Sequence, residues 1–283
     1  MTQWHPIFSH LLRSVLKDYY DVQTNVPVGD LPREADIIVL RRSSASNPPF
    51  RTLWHHLNRW NILELKGRSE NARVADVDLL IEVGLGIHRR LQEKEPHAKI
   101  QRAEVSFWYL ANHLGKRFLR DVVELTGDLH AVSAGLWRGR VVGRPLWLVS
   151  NHDLALDQES APARLISGKS DEDTLTLAKE MSANDEIWQR YITWLVALYP
   201  QLEKELQSMA TKRKKGDLDL AANLRLLIDE MKPQDLLRSG LAQTILADLS
   251  GDDIWAKLSA KQREELVRCV QEDSGKKKHS TKS

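Results

Sequence analysis

The run Asn-Ile-Leu-Glu-Leu-Lys at residues 61–66 constrains the fold of this chain more than any other stretch. Ile62, Leu63 and Leu65 leave little alternation, so the strand they predict is buried on both faces, as in a sheet flanked by helices. Glu64 and Lys66 are two apart on it and therefore point to the same face, about 6.5–7 Å from each other along the strand. A second run, Ala-Asp-Ile-Ile-Val-Leu at 35–40, is equally apolar and places Asp36 at its start. Charge at the edge of a core is costly without a partner. Three charged residues on two buried strands therefore need either each other or a bound ion.

The surrounding pattern predicts an α/β order. Ile7, Phe8, Leu11, Leu12, Val15 and Leu16 fall on helical spacing within 5–20, and 22–28 alternates as a strand would. The connection 43–59 is Ser- and Pro-rich at first and then carries Leu53-Trp54-His55-His56-Leu57; one so long inside a compact domain is usually functional or mobile. A helix is predicted over 72–95, a strand over 105–110, a helix over 116–125, and two more strands over 130–137 and 145–150. Gly84-Leu85-Gly86 lies inside the predicted helix and follows no strand, so it is not a dinucleotide fingerprint. Beyond residue 160 the pattern becomes helical. Ser170 with Asp171, Glu172 and Asp173 marks a helix start, and Asn184 opens a helix expected to run to 207. Shorter helices follow to about residue 271, among them 236–249 and 254–266 with a loose leucine spacing. The expected organisation is an α/β domain over 1–160, a helical region over 161–272 and a basic tail over 273–283.

Composition narrows the setting. A single cysteine, Cys269, excludes an internal disulfide framework and fits a reducing compartment. The opening residues show no basic segment followed by an apolar run, and the most apolar stretch, 187–199, is interrupted by Gln189 and Arg190. A cytoplasmic protein without a membrane segment is expected. Residues 1–150 carry 21 Lys and Arg against 16 Asp and Glu, whereas the remainder carries 20 against 23. The mildly basic first part suits an anionic partner, though proteins that bind no nucleic acid share such a balance.

Asp36, Glu64 and Lys66 together suggest a chemistry. Hard divalent cations take oxygen ligands and keep several waters. Asp36, Glu64 and the Leu65 carbonyl could hold Mg²⁺ or Mn²⁺, while Lys66 orients or deprotonates a water or stabilises transition-state charge. The same tripeptide also describes an ion-paired strand facing solvent, and taken alone it leaves both accounts open. Arg68 and Arg73, just past the strand, are candidates for phosphate contacts or for a solvated helix start. Trp54 and Trp60 flank the long connection, where they could stack on bases or pack in the core. His55 and His56 are adjacent and diverge on any regular element, which disfavours shared metal ligation. The cluster Lys212–Arg213–Lys214–Lys215 and the lysines of the tail could add affinity for polyanions or remain solvated.

Helix, three strands, helix and strand, with Asp on the second strand and Glu-x-Lys on the third, resembles the PD-(D/E)XK nuclease superfamily. Within it the chain most resembles the Rpn-like recombination-promoting nucleases, a transposase-like group. The resemblance rests on Val26-Pro-Val-Gly-Asp-Leu-Pro-Arg-Glu-Ala-Asp-Ile-Ile-Val-Leu, on Trp60-Asn-Ile-Leu-Glu-Leu-Lys-Gly and on the leucine-rich helical tail near 236–266. It implies a restriction-endonuclease-like central mixed sheet flanked by helices, with an all-helical C-terminal region. It further implies Asp36 and Glu64 as metal ligands, Lys66 as the catalytic lysine, DNA as substrate, Mg²⁺-dependent phosphodiester hydrolysis and a link to mobile elements. Many members carry a Glu on the first helix, whereas residues 5–20 hold Asp18 as their only acid. The superfamily also contains inactive members, so a nucleic-acid-binding or assembly module that keeps the fold is the alternative. Nothing in the pattern excludes a homodimer.

Overall fold

The computed structural model describes residues 4–24, 37–67, 70–94 and 100–211. Asp36, Arg68, the basic cluster at 212–215, the two leucine-spaced segments and the tail lie outside these residues. Helix α1 (Trp4–Leu16) leads into strands β1 (Tyr20–Thr24), β2 (Ile37–Arg42) and β3 (Trp60–Leu65). Helix α2 (Val74–Lys94), strand β4 (Val105–Ala111) and helix α3 (Lys116–Thr126) follow, then β5 (Leu129–Ser133), β6 (Leu136–Val141) and β7 (Arg144–Ser150). Helices α4 (Ala161–Leu165), α5 (Asp171–Ser182), α6 (Asp185–Leu198) and α7 (Glu203–Thr211) complete the described chain.

The seven strands form one mixed sheet in the order β1-β2-β3-β4-β7-β6-β5. The central strands β3, β4 and β7 are parallel, and the outer pairings are antiparallel. Every residue of β3 and β4 is buried, because both faces are covered. One face, with Leu63, Trp108 and Trp147, packs on α1 and on apolar residues of α4–α7 such as Leu177, Tyr191 and Leu195. The other, with Ile62, Phe107 and Leu148, packs on α2 and α3 through Val77, Leu80, Phe118 and Val122. Gly84 permits that second contact, since a Cβ there would stand 2.4 Å from the Phe107 ring. No helix among the described residues is long and apolar enough to cross a membrane.

Three expectations change. The strand expected over 130–137 is a hairpin: Gly135, at φ +69°, turns the chain between β5 and β6. The turn was hidden because Ala134-Gly135 carries none of the Asn-Gly, Asp-Gly or Pro signals that usually mark one. The helix expected to run from 184 to 207 ends at Leu198, and a short 3₁₀ turn, Pro200–Leu202, separates it from α7. Proline cannot supply the amide that would continue the helix. The connection 43–59 is held firmly by the Glu159 carboxylate, which accepts hydrogen bonds from the amides of Arg51, Thr52 and Trp54. Leu53 and Trp54 are buried beneath it, so the segment is a wall of the core. By contrast, the caps at Ser170 and Asn184 form as the residues require, each side chain accepting from amides of the following turn.

Candidate functional site

Glu64 is the penultimate residue of β3, paired with Ile37 on one side and Tyr109 on the other. It therefore shares a face with Val39, Ile62 and Tyr109, the face that α2 covers. Lys66 follows the strand, and its amide continues the parallel ladder by donating to the Leu110 carbonyl at 2.8 Å. Its side chain returns to the same face, with Nζ 2.8 Å from Glu64 Oε1. Only 12% of the Lys66 side chain and 11% of the Glu64 side chain are exposed. That burial rules out the solvent-facing ion pair that the tripeptide alone allowed.

A second carboxylate meets the same lysine. Asp76, in the first turn of α2, places Oδ1 3.4 Å from Lys66 Nζ. Arg73 clamps Asp76 from the outside, Nη2 donating to Oδ1 at 2.9 Å and Nε to Oδ2 at 3.2 Å. Tyr109 donates its hydroxyl to Asp76 Oδ2 and accepts from the Arg73 amide, both at 3.4 Å. Burial pushes the Tyr109 phenol well above its ordinary value, so it remains a donor. Burial opposes the charged form of Lys66, but the hydrogen bond and charge of Glu64, with the charge of Asp76, outweigh it and raise the lysine above its usual range. Lys66 is thus an ammonium at neutral pH, held between two carboxylates.

The site sits at the carboxyl ends of β3 and β4, the edge where open α/β sheets bind ligands. Arg73 carries its guanidinium to the surface, its side chain 69% exposed. The sequence marks Glu64, Lys66 and Arg73, and the fold brings all three together. It adds Asp76 and Tyr109, which the sequence reading missed. An acid three residues after Arg73 at a helix start is the one signal that could have drawn attention to Asp76.

No protein-family model, curated protein or solved structure matches this chain.

The other candidates resolve into structure. Trp54 and Trp60 are 1% and 2% exposed and belong to the two cores, so neither is placed to stack on a base. His55 faces the Phe50 carbonyl through Nδ1, while His56 stacks on Trp147 with ring centroids 4.4 Å apart. Burial, then the neighbouring His55 and Arg138, lowers the His56 pKa. Leu65 sends its side chain into the opposite core, leaving its carbonyl as the group of interest. Among the described residues there is no cluster of three or more His, Cys, Asp and Glu able to hold a metal. Glu64 and Asp76 do supply carboxylate oxygens, the donor type a hard divalent cation takes, and both are directed at Lys66 Nζ.

Proposed function

We propose that this chain hydrolyses DNA phosphodiester bonds with Mg²⁺ or Mn²⁺, as its resemblance to PD-(D/E)XK nucleases of the Rpn-like group implies. The observation that carries the proposal is the convergence of Glu64 and Asp76 on Lys66 at the carboxyl edge of the parallel strands. Glu64, Asp76, the Leu65 carbonyl and, by the resemblance, Asp36 are the groups that would hold the metal. When bound, the metal lowers the pKa of a coordinated water and offsets charge on the phosphate. The water oxygen bonds to phosphorus, the bond from phosphorus to the departing strand oxygen breaks, and the water protons pass to the products.

The protein's own contributions follow from the geometry. Lys66 donates hydrogen bonds and positive charge to a phosphate oxygen or an attacking water. Tyr109 and Arg73 fix the orientation of Asp76. Arg73, largely exposed, also reaches the surface where a phosphate would arrive. Plasmid nicking tests the reading directly. Wild type should nick in Mg²⁺ and not in EDTA, and Lys66→Ala should abolish nicking. A wild type that leaves plasmid intact in both Mg²⁺ and Mn²⁺ refutes it.

The same bridge favours a second reading. Lys66 already neutralises two buried carboxylates, so the cluster could serve as a purely structural ion network in a non-catalytic module that keeps the fold. Metal-dependent stabilisation separates the two, because an ion network of that kind gains nothing from Mg²⁺.

A further inference from the structure

Beside the Glu64–Lys66–Asp76 cluster lies a cavity of about 360 Å³, whose described lining carries three cations, Arg73, Arg117 and Lys169, against one acid. Arg73 and Val74 come from the start of α2, His113, Arg117 and Phe118 from the turn into α3 and its first residues, and Lys169 from the turn before α5. Arg73 belongs both to this cavity and to the clamp on Asp76. Arg117 is 89% exposed on the side chain, Lys169 is exposed, and His113 is held by Asp153 at 3.0 Å. Among the described residues Asp121 is the one acid of the lining, and Arg117 and Arg120 share it at 3.8 and 3.5 Å. Phe118, stacked on Tyr109, and Val74 supply apolar surface between the charges. Cations from three separate segments thus face one opening, at the carboxyl edge of the parallel strands and next to the Glu64–Lys66–Asp76 cluster.

We propose that this cavity seats the phosphodiester backbone of the DNA strand flanking the bond to be cut, with Arg73, Arg117 and Lys169 as the phosphate contacts. The proposal rests on the hydrolytic reading for its choice of DNA, and it adds the surface that positions the strand. Exposed cations along an open rim contact a repeating polyanion more naturally than a small ligand needing enclosure, because each phosphate requires only one charge. Backbone contacts of this kind set register without reading sequence.

Fluorescence anisotropy with a short labelled DNA duplex, in EDTA so that nothing is cut, tests the cavity alone. Arg117→Gln/Lys169→Gln should raise Kd about tenfold and lower the salt slope by about two, roughly one per lost contact. Arg89→Gln/Arg140→Gln, which removes two exposed cations elsewhere, should remain within about twofold of wild type. All four positions are exposed, and unchanged Tm values verify that the variants fold. The proposal is overturned if the cavity variant binds as wild type does, if wild type binds no duplex, if RNA of the same sequence binds more tightly, or if a mononucleotide competes as well as the duplex. A chain that shows the expected loss of binding yet never cuts loses the hydrolytic reading and keeps the cavity as a DNA-backbone contact. A chain that cuts while the cavity variant binds normally loses this one alone.

Discussion

Replacing Lys66 by methionine separates a metal site from an ion network. Methionine keeps the length and apolar stem of the lysine but removes the charge that Glu64 and Asp76 share at 2.8 and 3.4 Å. The three side chains are only 12%, 11% and 8% exposed, so solvent screens the loss weakly. Removing one partner of a buried ion pair costs about 3–5 kcal/mol, since the remaining charge stays desolvated. Arg73 and Tyr109 still contact Asp76, which places the expected cost near the lower end, about 3 kcal/mol. For a chain of this size that lowers Tm by about 6–12 °C. Calorimetry in EDTA reads the drop. Mg²⁺ should then recover much of it, because a ligand at about 100 times its Kd stabilises by about 2.7 kcal/mol. Lys66→Met within about 2 °C of wild type in EDTA would refute the claim that Lys66 holds the carboxylates. A clear drop with no recovery in Mg²⁺ would refute the metal site and leave the ion network.

Three further outcomes are expected. Asp76→Asn should cut Mg²⁺-dependent nicking by about 10²–10³-fold, the scale of losing one preorganised charged group; nicking at the wild-type rate removes Asp76 from the site. Thermal stability should fall on acidification through His88, whose Nδ1 faces the Arg144 guanidinium at 2.6 Å and whose Nε2 faces the Ile100 carbonyl at 3.3 Å. Burial, with Arg144 and Arg102 nearby, lowers its pKa despite the Ile100 contact; the unfolded chain therefore binds the proton more readily, and stability present above pH ~6.5 is lost as pH falls through the lowered value. His88→Asn, which keeps an acceptor for Arg144 but cannot protonate, should flatten that part of the profile in thermal melts, and an unchanged profile counts against the assignment. Gly84→Ala should cost about 1–3 kcal/mol by pushing its Cβ against Phe107, seen as a lower midpoint in denaturant, and a neutral effect would show that α2 can shift on β4 freely.

Residues 60–66 announced their own strand, because Trp60, Ile62, Leu63 and Leu65 leave little alternation over a stretch too short for a helix. The helices α2, α3 and α5 were equally legible from spacing and caps. The β5–β6 hairpin was not, since Gly135 sits within a run that reads as one strand. Glu64 and Lys66 could be paired on paper because a strand fixes the direction of side chains two apart. Their neighbours could not.

Local sequence therefore determined the α/β class, the strand that carries Glu64, and the face that Lys66 shares with it. Only the tertiary structure decided that this pair is buried, that Asp76 closes on it from α2, and that Tyr109 and Arg73 hold Asp76 in place. It likewise gathered Arg73, Arg117 and Lys169 around one cavity from segments nearly a hundred residues apart. Spacing along a strand or helix is a local property of the backbone, whereas these meetings depend on how β3, β4 and β7 pair and on which helix crosses above them.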